Sequence, residues 1–274
     1  MKRVLAASLT LALFAGAARA GVILSDDFPY ADGPLSTASG GTWAVHSGTD
    51  SGATALNVTG GKAIINQGDT TAGRADLNRL FTDTSAAVDP TTNNTQVYYT
   101  SFTVNFSALP VTGDSDGSYF AHLKSSAANE FYARVGANTN GAAAGTFRMA
   151  IANETWNVAA TAEFPQDLSL NTTYTVVTRF DLATDQATLW VNPTAETSTS
   201  VTATDAVSFV TGTINAYALR QGTSGTGAPG NLAVDNLLVG TSFADVAGAA
   251  VPEPTGLAAL GVIGAAVGLR RRRR

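Results

Sequence analysis

The chain has 274 residues, no cysteine and a formal net charge of −5. Its charge is unevenly placed: residues 21–250 hold 20 of the 21 Asp and Glu but only 8 of the 16 Lys and Arg, a net charge of about −12. A portion this acidic argues against nucleic acid and anionic membrane surfaces as partners. The absence of cysteine excludes disulfides and thiol chemistry.

The N-terminus carries the features of a secretory signal peptide. Lys2 and Arg3 form a basic start, and a predominantly apolar h-region of 12 residues follows over Val4–Ala15. Ala18 and Ala20 then form an Ala-x-Ala cleavage site, and the apolar run is too short for a membrane span. We therefore predict a signal peptide over residues 1–20 and export of the chain through the general secretion machinery. The alternative, a buried N-terminal helix, does not account for these flanks.

The middle portion, residues 21–246, predicts a single all-β domain. Short runs of alternating polar and apolar residues are separated by turn residues, and the clearest run is 96–106. Gly60 and Gly61 predict one tight hairpin, and residues 182–185 predict another. Twelve or more strands are too many for an immunoglobulin-type sandwich, so we predict a two-sheet jelly-roll sandwich.

Three stretches of this portion resemble the concanavalin A-like, or laminin-G-like, jelly rolls of bacterial surface proteins: Ser-Asp-Asp-Phe at 25–28, the hairpin at 180–192 and Val-Asp-Asn-Leu-Leu-Val at 234–239. The resemblance implies that the first and last strands lie side by side near a structural Ca²⁺. Asp26, Asp27 and Asp235 are the candidate ligands, since Ca²⁺ takes carboxylate oxygens at irregular spacings. The alternative is that Asp235 ends a strand and the other two are solvated.

No catalytic pattern is visible in the sequence. Glycosidases of this fold class use paired carboxylates, but the Glu-x-Asp-x-x-Glu pattern is absent and the glutamates are isolated from other acids. His46 and His122 are the only histidines, too few for a zinc site by themselves. Strand alternation places His122 on the face opposite Tyr119, where solvent or a satisfied hydrogen bond is the expected surrounding. The sequence therefore predicts a protein that is not an enzyme.

Aromatic side chains are the candidates for glycan binding, because sugar rings stack on exposed aromatic faces. The candidates are Tyr99, Tyr132, Trp156 and Tyr217. The alternative is that these residues serve packing, for which aromatic residues are enriched in strands. Trp190 in particular is expected in the core or covering a sheet.

The C-terminal 28 residues have three parts in a fixed order. A linker over residues 247–254 ends in Pro252, Glu253 and Pro254, where each proline favours extended geometry in the residue before it. Residues 255–269 are small, apolar and uncharged, and as a helix they would extend roughly 22 Å, short of a bilayer core of about 30 Å. Five arginines at 270–274 would stay cytoplasmic and can lengthen the span by snorkelling.

This tail resembles the PEP-CTERM sorting signal of Gram-negative bacteria. The resemblance implies that Pro252, Glu253 and Pro254 are recognised by an exosortase, a membrane-integral protease of the cysteine transpeptidase type. It also implies export, a transient inner-membrane anchor through the C-terminal helix, cleavage, and delivery to the cell surface or extracellular matrix. The alternative is an ordinary tail anchor with a basic stop-transfer flank.

Taken together, these features predict an exported, exosortase-processed and non-enzymatic surface or matrix protein associated with extracellular polysaccharide. Two alternatives stay open at this stage. One is an architectural coat protein without glycan binding, and the other is a divergent glycan hydrolase or lyase.

Overall fold

The computed structural model describes residues 21–66, 74–111, 119–156, 161–221 and 229–247. The predicted signal peptide with Ala18 and Ala20, the motif at Pro252, Glu253 and Pro254, and the predicted C-terminal helix all lie outside these ranges. Within them, no helix has the length and apolar character needed to cross a membrane.

The domain is an all-β sandwich of two antiparallel sheets, as the sequence predicted at this level. The first sheet has the strand order β15-β14-β13-β7-β17-β5-β4-β2, and β1 pairs with β17. Its strands are β1 (Val22–Asp26), β2 (Gly33–Pro34), β4 (Asn57–Thr59), β5 (Lys62–Ile65), β7 (Val97–Ala108), β13 (Thr173–Asp181), β14 (Gln186–Val191), β15 (Ser200–Thr202) and β17 (Asn231–Gly240).

The second sheet has the strand order β11-β10-β9-β8-β16-β6-β3, and β12 pairs with β10. Its strands are β3 (Trp43–Ser47), β6 (Asp76–Leu80), β8 (Tyr119–Ser125), β9 (Phe131–Asn138), β10 (Thr146–Ala152), β11 (Ala162–Glu163), β12 (Leu168–Ser169) and β16 (Ile214–Leu219). Helical segments are short: α1 (Leu35–Ala38), α2 (Phe243–Ala247) and the 3₁₀ turns Gly52–Thr54 and Thr84–Ala86.

The core lies between the sheets and is built from the alternation of strand side chains. In β7, Tyr98, Phe102, Val104 and Phe106 all point inward and are buried, as the alternation of this run predicted. Phe106 meets Phe147 of the second sheet with ring centroids 4.3 Å apart. Apolar burial of this extent stabilises the domain in place of the absent disulfides.

Both hairpins predicted from the sequence are confirmed. β4 and β5 pair around Gly60 and Gly61, whose φ angles of 57° and 73° suit the turn that matches strand twist. β13 and β14 pair through Asp181↔Gln186, the last strand pair before the second turn.

The outer face of the first sheet is partly covered by α2. Phe243 contacts the rings of Tyr99 and Trp190 at centroid distances of 6.4 and 5.9 Å. Trp190 therefore covers the sheet beneath a helix, which was one of the two positions expected for it.

The carboxylate of Asp26 joins the two sheets at one edge of the sandwich. Asp26 ends β1 in the first sheet, and its carboxylate accepts hydrogen bonds from Trp43 Nε1 of β3 at 2.6 Å and from Tyr30 Oη at 2.9 Å. It also forms an ion pair with Arg79 of β6. The same carboxylate accepts a bond from the backbone N–H of Phe28 at 2.8 Å, which holds that residue at a φ of 46°.

These contacts change the interpretation of Asp26 as a calcium ligand. The first and last strands do lie side by side, because β1 pairs with β17 through Asp26↔Leu237. However, the Arg79 guanidinium already neutralises the Asp26 carboxylate, Asp27 is exposed, and Asp235 accepts from the N–H of Asn236 at 2.7 Å. Among the residues described, no three His, Cys, Asp or Glu side chains come together as a metal site.

We expect Asp26→Ala to destabilise the domain by about 3–5 kcal/mol, since it leaves the partly buried Arg79 guanidinium without its counter-charge. Asp27→Ala is the matched control, because it removes the same carboxylate from an exposed neighbouring position and should change stability by about 0.5 kcal/mol or less. Equilibrium unfolding in urea measures both. Equal losses in the two variants would contradict the role given to Asp26.

Candidate active site

The two histidines of the chain meet on the outer face of the second sheet. The rings of His46 on β3 and His122 on β8 have centroids 6.1 Å apart and lie nearly perpendicular. Phe131 of β9 contacts both rings, at 5.9 Å from His46 and 4.5 Å from His122. Residues far apart in the sequence therefore form one cluster of rings.

Irregular pairing in three strands brings these side chains to one face. In β3 the register shifts between Val45 and Ser47, so His46 is the extra residue of a bulge. In β8 the register with β9 shifts between Tyr119 and Ala121, and Phe120 and Ala121 both join the core. A bulge thus puts Tyr119 on the same face as His122, whereas the sequence alternation had placed them on opposite faces.

The third irregularity, in β9, positions an arginine. Tyr132 and Ala133 both join the core, Ala133 has a φ of 50°, and the register with β8 shifts opposite His122. A positive φ at alanine is strained and persists only where the surroundings enforce it. As a result Arg134 follows Phe131 onto the outer face, where its guanidinium lies 5.6 Å from the Phe131 ring centroid.

His122 is held as a neutral imidazole with a free lone pair. Its Nδ1 lies 3.1 Å from the backbone oxygen of Leu123, which can only accept, so Nδ1 carries the proton and Nε2 does not. Burial lowers the pKa of His122 well below its usual value, and the neighbouring His46 lowers it further. Nε2 is buried and has no hydrogen-bond partner among the residues described. The expected solvated or fully satisfied histidine is therefore not what the structure contains.

His46 is less deeply buried than His122. Its pKa is lowered to about 4, first by burial and then by the charge of Lys124, while a hydrogen bond with the Asn78 side chain opposes the shift. Its Nδ1 is buried and also lacks a partner within the described ranges. Both imidazoles are consequently neutral near neutral pH.

Two guanidinium groups flank the ring of Tyr119. The guanidinium carbon of Arg220 lies 4.3 Å from the ring centroid and that of Arg134 lies 5.0 Å from it. The Tyr119 ring is also 5.7 Å from that of His122 and 5.8 Å from that of Trp156. A tyrosine, a neutral histidine and two arginines thus share one site.

The site is locally positive in an acidic domain. Lys124, Arg134 and Arg220, three of the 8 basic residues of 21–250, lie around the histidine pair and Tyr119. Asp76 lies 3.9 Å from Arg220 Nε and offsets part of this charge. Because all three basic side chains are partly buried, their charges are less screened than on an open surface.

A turn at residues 153–155 contacts β9 and leads into Trp156 of the site. The Asp205 carboxylate accepts hydrogen bonds from the backbone N–H groups of Asn153, Glu154 and Thr155, each at 2.8 Å. The backbone oxygen of Asn153 accepts from the N–H of Ala133 at 2.8 Å. This turn therefore holds both the strained residue of β9 and the segment that leads into Trp156.

The aromatic candidates for glycan binding are mostly inside the domain. Tyr132 and Tyr217 belong to the core with exposed fractions of 0% and 1%, so their ring faces are occupied by packing. Tyr99 is covered by α2, and its hydroxyl donates to Glu196 Oε1 at 2.6 Å. Trp156 alone of the four stands in the site, against Tyr119. The sequence did not reveal the grouping of Tyr119, His122, Arg134 and Arg220. Bulges in β8 and β9, which alternation does not predict, bring Tyr119 and Arg134 to the face that His122 occupies.

Comparisons with known proteins give fold neighbours only. No family model and no curated protein matches the chain. Among solved structures, a variant of alginate lyase Aly36B in complex with alginate trisaccharide is 15% identical, with a TM-score of 0.47 over 82% of this chain and 100% of that chain. Alginate lyase PA1167 from Pseudomonas aeruginosa is 12% identical, with a TM-score of 0.44 over 73% and 98% of the two chains. A structure of botulinum neurotoxin type C is 9% identical, with a TM-score of 0.41 over 82% and 48%. At these scores the neighbours carry no argument about this chain's activity.

The prediction of a non-enzymatic surface protein is nevertheless corrected here. It depended on the missing carboxylate pair, which is a requirement of glycoside hydrolysis. Cleavage by elimination instead requires a proton acceptor, a proton donor and a cation to neutralise a carboxylate. His122, Tyr119 and the two arginines are groups of these kinds.

The histidine pair predicts a pH dependence of stability. Below a pH of 6.5 the unfolded chain takes up protons on both histidines, whereas folded His46 stays neutral down to about 4. The free energy of unfolding should therefore be highest above pH 6.5 and fall as the pH decreases toward 4. The fall should be smaller in the variant His46→Gln/His122→Gln.

Urea unfolding of both chains across this window measures the difference. Carboxylate titration is common to native and variant chains and cancels in the comparison. Parallel stability curves would show that the histidines are not held neutral by burial.

Proposed function

We propose that this protein is a polysaccharide lyase that cleaves an anionic, uronate-containing polymer by β-elimination. The proposal rests on one observation: a neutral His122 with an unpartnered Nε2 lies beside Tyr119, whose ring contacts two guanidinium groups. We also propose that the sandwich belongs to the concanavalin A-like jelly-roll class, a finer assignment than the two-sheet topology gives.

The arginines supply recognition and electrostatic activation. A uronate carries a carboxylate on C5, and a guanidinium binds carboxylate oxygens through two parallel hydrogen bonds. Arg134 and Arg220 neutralise this charge, which makes the adjacent C5 proton more acidic. Lys124 adds positive potential without the fork geometry of a guanidinium.

The histidine and tyrosine move the protons. Nε2 of His122 accepts the C5 proton, the C5–H electron pair forms the C4=C5 double bond, and the C4–O4 bond breaks. The Tyr119 hydroxyl donates its proton to the departing O4. The products are one chain with a new hydroxyl and one with an unsaturated uronate at its end, and no water is consumed.

Access to the base sets a condition on this reaction. His122 has no exposed surface, while Arg134, Arg220 and Lys124 are partly exposed. The polymer therefore binds first along this charged rim, and the rings over His122 must move before Nε2 meets C5.

We expect His122→Gln and Tyr119→Phe each to lower kcat/KM on a uronate polymer by roughly 10²–10⁴-fold, since each removes a proton-transfer group. The ultraviolet absorbance of the unsaturated product measures the rate. Arg148→Gln is the matched control, an arginine in β10 of the same sheet that pairs with Asp167. It should retain nearly native activity. Native-like activity in His122→Gln, or equal loss in Arg148→Gln, would contradict the assignment.

We also propose that the enzyme is exported and sorted through its termini. The support is the sequence alone: the signal peptide features at residues 1–20 and the tail that resembles a PEP-CTERM signal. In this proposal an exosortase recognises Pro252, Glu253 and Pro254, and the enzyme reaches the surface or extracellular matrix of a Gram-negative cell. A lyase there would act on extracellular polysaccharide.

Replacing Pro252, Glu253 and Pro254 with alanines should block C-terminal processing and hold the chain in the membrane. Cell fractionation with intact mass measurement compares it with the native chain, and serines at residues 248–250, which are Gly-Ala-Ala, form the control. If both chains remain membrane-bound and uncut, the tail is a plain anchor.

A further inference from the structure

His46 is placed against His122 by a specific distortion of β3. The bulge between Val45 and Ser47 is what turns His46 toward β8, although β3 is the edge strand and β16 and β6 lie between the two. Asn78 of β6 hydrogen-bonds the His46 side chain. The chain thus uses both of its histidines, from strands more than 70 residues apart, in one contact.

The two imidazoles differ in their access to water. His122 is fully buried, whereas His46 is partly exposed. Water stabilises an imidazolium ion at the position of His46 more than at that of His122, since desolvation penalises the charged form. A proton entering the pair therefore finds His46 the more favourable site.

We propose that His46 is a positioning residue for His122: it packs beside the imidazole together with Phe131, and it takes the first proton of the pair, so that its charge keeps the second proton off His122. This inference rests on the proposed function, in which His122 is the base. It adds a role for His46 that the elimination step itself does not require.

The other charged groups around the pair favour this order. Lys124 on β8 acts on His46, Arg220 after β16 acts on both histidines, and Arg134 on β9 acts on His122. The Tyr119 ring also faces His122, at a centroid distance of 5.7 Å. Asp76 of β6 is the acid on this side and lies 3.9 Å from Arg220 Nε. The surroundings of the pair are therefore positive, and two protons on two adjacent imidazoles would add like charges to a site that already holds three.

The charge on His46 acts on the pKa of His122. In the native chain His46 becomes charged first as the pH falls, and His122 stays neutral. Removal of His46 removes this repulsion, so the pKa of His122 should rise and the base should be lost at a higher pH. A permanent cation in place of His46 should keep the pKa of His122 low.

Nuclear magnetic resonance of the full-length chain, labelled only at histidine, tests this without any substrate. The spectrum of the native chain contains the signals of two imidazoles, and the spectrum of each His46 variant contains those of His122 alone. We expect His46→Gln to raise the pKa of His122 by about half to one pH unit, and His46→Lys to leave it at or below the native value. Ala44→Gln is the matched control, an amide at an exposed position of the same strand, and should leave both histidines unchanged.

The native chain alone also tests the order of protonation. The inference predicts that His46 titrates first while the His122 signals retain the neutral, Nδ1-protonated form. If His122 titrates first, or if His46→Gln leaves its pKa unchanged, the inference is overturned. This readout holds even if a variant fails to fold.

The activity profile separates this inference from the proposed function. With an active lyase, His46→Gln should move the acid limb of kcat/KM to higher pH by the same shift and leave the rate on the plateau within a few-fold. If the two histidines are coupled but the chain cleaves no uronate polymer, the lyase assignment is overturned and the protonation order stands. An active lyase with uncoupled histidines would overturn this inference alone.

Discussion

Side chains in a β-strand alternate between the two faces of a sheet, and one face of the second sheet forms the apolar core. Strict alternation in β8 and β9 cannot place Tyr119 with His122, or Phe131 with Arg134, on the same outer face. Each strand solves this with one bulge that turns two consecutive residues inward, Phe120 with Ala121 and Tyr132 with Ala133. The cluster therefore depends on local breaks in the pattern that builds the rest of the sandwich. Bulges next to active sites commonly re-aim side chains in this way.

β3 and β6 each carry one residue that contacts Asp26 on the inner side of the second sheet and one residue of the His46 contact on its outer side. Trp43 and Arg79 bind the Asp26 carboxylate on the inner side, while His46 and Asn78, only a few residues away, meet on the outer side. The bridge between the sheets thus fixes the two strands that support His46. Trp43 and Arg79 are paired with each other across β3 and β6, so the residues that hold the edge of the sandwich lie close to the bulge at His46.

The sequence was sufficient for the all-β class, for the hairpin at Gly60 and Gly61 and for the core face of β7, because those features follow from period-two alternation and turn residues. It was insufficient for the site. His122 follows the alternation of its strand, but Tyr119 departs from it, and the irregular pairing behind that departure involves β9, which a single-strand pattern does not contain. Paired carboxylates are required by glycoside hydrolysis, so their absence from the sequence does not bear on a site made of histidine, tyrosine and arginine. The aromatic candidates Tyr132 and Tyr217 were misleading for a related reason: strand aromatics pack inward as readily as they bind sugars.

Elimination and hydrolysis differ in whether water enters the product, and this difference tests the central claim most directly. The full-length chain is incubated with uronate polymers in water enriched in heavy oxygen, and the released oligosaccharides are examined by mass spectrometry. The account predicts unsaturated ends lighter by one water than hydrolysis products, with no heavy oxygen incorporated, and no release by His122→Gln. Labelled, saturated products, or no cleavage of any uronate polymer by the native chain, would contradict it.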